Sequence, residues 1–289
     1  MKGFASSLGA RVCALLGLVA ALALLPACGG GGQATGSSLY DQVKQRGVVR
    51  VGFRPDHPPH SSLDAQGQMV GFDVDIANAI ARRWNVRVQP VKVDELTRIS
   101  FLQNGRIDIA VTSISTTVSR AKVVDFSETY FFSKQSFLVR KGTATQFSDL
   151  VGKRVAADRG GNAGTNWATW IKNHGYPANP DVLFFSDKHL AVEAVKQGTV
   201  AGYTSDYEVL TGFAKPEPTL TVLEDPGGTG PKYDGVAMHK NDSALVLAVN
   251  LALQDIQSSG EYDTIYDRWF GPSSATPVPR LGSIEVWPA

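Results

Sequence analysis

The segment TSISTTVSRAKVVDFS sets six hydroxyl side chains (Thr112, Ser113, Ser115, Thr116, Thr117 and Ser119) directly before Arg120. It follows the apolar run IDIAV, so the hydroxyls and the guanidinium fall where a buried strand ends. Small hydroxyls and backbone groups there supply donors and acceptors without bulk, and a planar guanidinium grips a carboxylate through two parallel bonds that lysine cannot copy. The set suits recognition of a compact charged ligand. Histidine chemistry is not indicated: His57, His60, His174, His189 and His239 lack catalytic company, and no HExxH, CxxC or GxSxG occurs. His57 and His60 bracket two prolines without a carboxylate pair beside them, so neither a metal nor another cofactor is expected. The loop RGGNAG at 159–164 offers backbone N–H groups to an anion but lacks the GxGxxG spacing of a dinucleotide site.

The elements that must position these residues read as two successive α/β units. In the first, VVRVGF, VRVQPV and IDIAV alternate with helices predicted over 73–84 and 94–103. In the second, KRVAAD, VLFF and VAGYT alternate with helices over 164–172 and 188–196 and a helix opening at Asp206. Such βαβαβ order implies largely parallel sheets with binding loops at the carboxyl ends of the strands, where the hydroxyl cluster falls. QSFLVRKG (135–142) runs between the units, GVAMHK (235–240) reads as a returning strand, and helices over 243–257 and 261–269 precede a Pro-rich tail.

The 289-residue chain is 43% hydrophobic and 19% charged, enough for a large core and two domains. Lys2 and Arg11 precede a short apolar run, the pattern of a secretory signal rather than a membrane span. Its end, LLPAC, resembles the lipobox of bacterial lipoproteins, which implies cleavage of residues 1–27 and a lipid on Cys28. Residues 28–39, rich in Gly and Ser, then form a flexible tether, and the fold begins near Tyr40. Cys13 leaves with the signal, so the mature fold has no disulfide. Loss of Lys2 and Arg11 leaves 26 basic against 27 acidic residues, a balance that argues against nucleic acid and against electrostatic membrane binding.

The chain from Tyr40 to Phe270 resembles the amino-acid-binding family of extracellular solute-binding proteins of ABC importers. The stretches VGFRPDHPPHSS, GFDVDIANAIARR, LQNGRIDIAVTSISTTVSRAKVVDFSETYFF, DLVGKRVAADRGGN and YDTIYDRWFG carry the likeness, in the family's order. The resemblance implies a monomeric, two-lobed class II periplasmic-binding-protein fold, with residues 40–138 and 239–289 in lobe 1 and 139–238 in lobe 2, joined by two hinge strands at 135–142 and 235–240. Its partners would be a free amino acid, the permease of an importer, and the membrane through Cys28, at the periplasm or outer cell face. By the same resemblance Arg120 grips the α-carboxylate, Ser113 and Ser115 contact the α-amino and α-carboxylate groups, and Asp206 pairs with the α-ammonium. Gly161 and Asn162 face them from lobe 2, with Asn162 where the family usually has threonine. Gly71, Asp73 and Asp75 are signature residues read as structural.

Arg54 stands where relatives that bind basic amino acids carry an aspartate, Arg98 where many place an apolar residue, and His57 where an aromatic is usual. Two arginines in a small pocket are costly to desolvate without an anion, which points to glutamate or aspartate, with their amides not separated by the sequence. The rival is an enzyme resembling periplasmic cyclohexadienyl dehydratases, with Glu208 near the region for a general acid. The tryptophan expected around Asp94 and Glu95 is absent, so no enzyme is expected.

Overall fold

The computed structural model describes residues 37–177, 179–223 and 228–288. The signal segment, Cys28 and the tether up to residue 36 lie outside the described residues. The fold starts at helix α1 (Leu39–Arg46), where Ser38 Oγ accepts from Asp41 N and the Asp41 carboxylate accepts from Ser38 N. This reciprocal cap satisfies two otherwise orphaned donors, so the ordered chain takes in the last two residues assigned above to the tether.

The first sheet is built from β1 (Val48–Phe53), β5 (Arg87–Lys92) and β6 (Ile109–Ala110), all parallel, with helices α2 (Phe72–Arg83) and α3 (Arg98–Gln103) between them. A separate small sheet of β2 (Asp56–His57), β3 (Ser61–Leu63) and β4 (Met69–Val70) precedes α2. After the short helix α4 (Val118–Ala121), strand β7 (Asp125–Arg140) runs for 16 residues. The second sheet pairs β8 (Arg154–Asp158) in parallel with both β9 (Asp181–Phe185) and β10 (Gly202–Asp206), flanked by α5 (Ala163–Asn173), α6 (Lys188–Gln197) and α7 (Tyr207–Ala214). Strands β11 (Leu220–Val222) and β12 (Pro231–Met238), then α8 (Ser243–Ser258) and α9 (Glu261–Phe270), complete the order.

Strand β7 ties the two sheets together. Its residues Asp125–Lys134 pair antiparallel with β12, and Gln135–Leu138 pair with β10, giving the continuous order β5-β1-β6-β12-β7-β10-β8-β9. The α/β architecture with parallel strands and two antiparallel crossing strands is the one expected, but the crossing segments begin earlier than 135 and 235. The reason is visible in the chain: Glu128, Ser133 and Lys134 interrupt the apolar pattern of β7, yet the backbone ladder runs through Ser133 and Lys134 and resumes past an irregularity at Glu128.

Packing follows the alternation of side chains along each strand. On β7, Phe137 and Val139 enter a core with Phe147, Trp167 and Ile171, while Leu138 enters the opposite one with Ala191, Val195 and Tyr203. Beneath the first sheet, Phe72, Ile76 and Ile80 of α2 meet Leu253 of α8 and Tyr262 and Phe270 of α9. Truncating Phe72 to alanine there would cost about 3–5 kcal/mol. Gly71 at the entry to α2 has φ 139°, and a Cβ on it would lie 2.2 Å from the carbonyl oxygen of His60. No other residue fits that contact. Asp73 is fully buried and accepts from Tyr130 OH at 2.8 Å, and Asp75 accepts from Arg268 and Trp269, which agrees with the structural reading of these residues.

Candidate functional site

The carboxyl ends of β6 and β10 face each other across a small cavity of about 20 Å³, lined among others by Arg98, Ser113, Ser115, Arg120, Gly161, Asn162 and Asp206. Seven of the nine ligand-site residues expected from sequence are therefore brought together. Arg54 lines an adjoining cavity of about 70 Å³ that shares Glu95 and Asp158 with the first. His57 is buried beside the site, with Nε2 3.4 Å from Asp206 Oδ2 but outside hydrogen-bond geometry. Burial and the Arg54 charge hold its imidazole well below the usual pKa, hence neutral.

Local structure explains the aim of each group. Ser113 follows β6 with φ 48°, a left-handed backbone uncommon for a residue with a side chain. That turn sends its carbonyl oxygen and Oγ toward Lys232 and lets Oγ donate to Asp234 at 2.9 Å. Thr117 Oγ1 accepts from Arg120 N and fixes the short turn of α4, and Arg120 Nη1 donates to Ser115 O at 3.0 Å. Asp206 ends β10 at the N-cap position of α7, but its side chain caps nothing; it accepts from Lys232 Nζ at 2.9 Å. Gly160, with φ +81°, brings the loop of the second sheet against the first: a Cβ on it would lie 2.7 Å from Leu96 Cδ2.

Every charged side chain lining this cavity except one has a partner of opposite sign among the described residues. Glu95 takes Arg54 on Oε1 at 2.6 Å and Arg98 on Oε2 at 2.7 Å. Both arginines are 2% exposed, and burial favours the neutral form of Glu95 less than the two cations favour its carboxylate, so its pKa falls. Lys232 pairs with Asp206 at 2.9 Å and Asp234 at 3.0 Å. Burial would raise the Asp206 pKa, but the Lys232 ammonium outweighs it and holds the carboxyl well below its usual value. Burial raises that of Asp234. Arg120 alone among the arginines and lysines lining this cavity has no carboxylate within 4 Å among the described residues, and burial weakens its charged form. Its alternative partner Asp125 is bonded to Lys240.

Orphaned polar atoms concentrate in the same place. Of eleven buried side-chain N and O atoms without a hydrogen-bond partner among the described residues, seven belong to Arg54, His57, Arg98, Thr112, Ser115 and Asp234. Since buried polar groups in folded proteins are almost always bonded, such a cluster marks where a ligand completes the set.

Sequence reasoning missed four groups. They are Glu95, Lys232 and Asp234 in a stretch rich in Pro and Gly, and His60 beside two prolines. His60 is fully buried, with Nε2 2.9 Å from Glu208 Oε1 and Nδ1 3.4 Å from Asp73. Burial opposes its charge, but Asp73 and Glu208 outweigh burial and push its pKa up to about 10. Glu208 also accepts from Ser133 Oγ at 2.6 Å. This buried cluster joins the first sheet's side to α7.

Arg54 and Arg98 are buried as expected, not on a solvated helix face, but the anion they meet is the protein's own.

Comparison with known proteins gives a consistent family. The model of the bacterial extracellular solute-binding proteins, family 3, matches residues 49–272. The glutamine-binding protein GlnH of a Bacillus subtilis ABC transporter is 33% identical over 268 residues, covering 89% of this chain and 95% of that protein. A probable histidine-binding protein of Neisseria gonorrhoeae is 31% identical over 250 residues, 85% of this chain and 90% of its own. Among solved structures, an ancestral amino acid-binding protein that is a precursor of cyclohexadienyl dehydratase matches with a TM-score of 0.72 at 29% identity, over 81% of this chain and 99% of its own.

Proposed function

The chain belongs to the bacterial extracellular solute-binding proteins, family 3, and from that premise we propose that it captures one free amino acid with a polar, uncharged side chain between two closing lobes and delivers it to the permease of an ABC importer. The observation that carries the reading is Arg120: a largely buried guanidinium with a carbonyl partner and no carboxylate, beside the orphaned Ser115 Oγ. A ligand carboxylate supplies the missing anion through a forked pair of bonds. Asp206, on the opposite sheet, receives the ammonium. An amino acid held by both groups bridges the two sheets, and neither of its charges is left unpaired on leaving water. Ligand binding thereby favours closure.

Side-chain selectivity follows from the Arg54–Glu95–Arg98 set, to which Asp56 adds a carboxylate 3.7 Å from Arg54. Two cations and two anions balance, so a neutral side chain that both donates and accepts fits best. The likeness to proteins that bind glutamine and histidine supports this. Glutamate or aspartate, the ligands first expected, would compete with Glu95 for the same arginines.

The protein acts as a monomer anchored by lipid on Cys28 at the periplasmic or outer face of the cell membrane. Its hinge is read at Lys134–Gln135, where β7 passes from β12 to β10, a few residues before the boundary drawn from sequence. It carries out no reaction: Glu208, the candidate general acid, is 2% exposed and is bonded by both His60 and Ser133. A thermal-shift screen against the twenty L-amino acids tests the reading. At a concentration near 100 Kd the preferred ligand adds about 2.7 kcal/mol of stability. The largest shift is expected from a polar uncharged amino acid; a larger one from glutamate, aspartate, arginine or lysine contradicts the selectivity, and no shift from any contradicts the function.

A further inference from the structure

Lys232 is the second residue of the crossing strand β12 and turns its ammonium inward. Its Nζ donates to Asp206 Oδ2 at 2.9 Å, to Asp234 Oδ2 at 3.0 Å, and to the carbonyl oxygen and Oγ of Ser113 at 3.2 and 3.3 Å. Two of these, Ser113 and Asp206, are the groups assigned above, on one sheet and the other, to the amino group of a ligand, and Asp234 stands beside them. A lysine ammonium and an α-ammonium are the same chemical species in charge and donor number, so the two compete for one seat. The lysine side chain is 10% exposed, and the residue also lines a neighbouring polar cavity of about 500 Å³ beside Thr116, Asn166 and Tyr233. A flexible four-carbon stem can carry the ammonium from this seat into that larger space without unfolding anything.

We propose that Lys232 is an internal stand-in for the ligand's ammonium and that it widens the substrate class from α-amino acids to small carboxylates with or without a free amine. The inference rests on the amino-acid reading of the site. When an α-amino acid enters, Lys232 leaves the seat and one ammonium replaces another at Asp206 and Asp234. The exchange conserves charge and bond count, so the incoming amine adds little to affinity. When a carboxylate without an amine enters, Lys232 stays, Asp206 and Asp234 keep their partner, and Arg120 still holds the carboxylate. In either case no buried carboxylate is left without a cation, which is the state that would be costly.

Calorimetry at pH 7 on the wild type, Lys232→Met and Lys232→Gln tests the exchange. The probes are two pairs that differ only in the amine: L-glutamine with glutaramic acid, and L-histidine with imidazolepropionic acid. The wild type is expected to bind the members of the preferred pair with similar affinity. Both variants, left with two buried carboxylates and no cation, are expected to bind the amino acid of that pair about 10- to 150-fold tighter than the wild type does, with the deaminated partner unchanged. The second variant guards against a folding defect in the first, and circular dichroism identifies one. Weaker amino-acid binding in a folded variant would make Lys232 an ordinary ligand contact and overturn the exchange. So would a wild type that already prefers the amino acid over its deaminated partner by as large a factor as the variants do. Binding of none of the four probes to any of the three proteins contradicts instead the reading of the site on which the exchange rests, and the exchange falls with it.

Discussion

Asp108 and Arg120 lie on either side of the short strand β6, and they meet opposite surroundings. Asp108 is fully buried and accepts from Arg46, from Arg50 Nη2 at 2.6 Å and from the backbone N–H of Arg50 at 2.7 Å. Nothing there asks for a further partner. Arg120, beyond the other end of the strand, has one carbonyl, no carboxylate among the described residues, and the orphaned Ser115 Oγ beside it. The same sheet thus uses charge in two ways. A set closed on itself holds the first half of β1 to the start of β6, and a set left open at the carboxyl end receives a ligand. Saturation of hydrogen bonds, rather than the mere presence of charge, separates structural from functional polar clusters.

If the comparison holds, the two sets respond differently to substitution. The largest effect is expected for Arg120→Gln, which leaves a ligand carboxylate buried without its cation and costs about 2–5 kcal/mol, roughly 30- to 5,000-fold in affinity. Because no internal ion pair is lost, the variant keeps the wild-type melting temperature. Calorimetry and thermal unfolding together check both halves. Near-native affinity would break the comparison at its functional end.

Asp108→Ala is the counterpart. Its two arginines are 37% and 29% exposed and return to water, so the loss is confined to their pairing and to the backbone bond, about 1–3 kcal/mol of stability by denaturant unfolding. Ligand affinity of the folded variant is expected to match the wild type. A large fall in affinity would show that this end of the strand is coupled to the site.

A smaller shift sharpens the picture of selectivity. Glu95→Gln removes the carboxylate that holds Arg54 and Arg98 and frees both for a ligand anion. The ratio of glutamate to glutamine affinity is expected to rise about tenfold, the value of one charge-assisted bond. An unchanged ratio, measured by competition calorimetry, would mean that the ligand's side chain lies away from these arginines.

Much of this was legible in the chain. Period-2 and period-3.6 patterns gave most elements to within two residues, because each presents one apolar face to a core. Helix α3 is shorter than the predicted 94–103 because Asp94 Oδ1 accepts from Leu96 N and Thr97 N and holds those residues in a turn. The hydroxyls around Arg120 announced a polar strand end, and the structure gathers them. What the sequence hid were partnerships over long separations. Glu95 meets Arg54 from 41 residues away, and His60 meets Glu208 from 148. Neither pairing leaves a local pattern, since each depends on how two elements pack and not on the composition of either. Lys232 was masked by its surroundings, where proline and glycine read as loop although the backbone pairs with β7.

The central claim is that a ligand completes the open set around Arg120 while the closed sets remain as they are. The most direct test is a crystal structure of the protein with the amino acid that gives the largest thermal shift. The account predicts the ligand carboxylate within 3.2 Å of two Arg120 nitrogens or of one nitrogen and Ser115 Oγ, about the limit of a hydrogen bond. It also predicts the amine at Asp206, and Arg54 and Arg98 still joined to Glu95. A ligand seated elsewhere, or one whose carboxylate meets Arg54 and Arg98 while Arg120 keeps only its carbonyl, would contradict it.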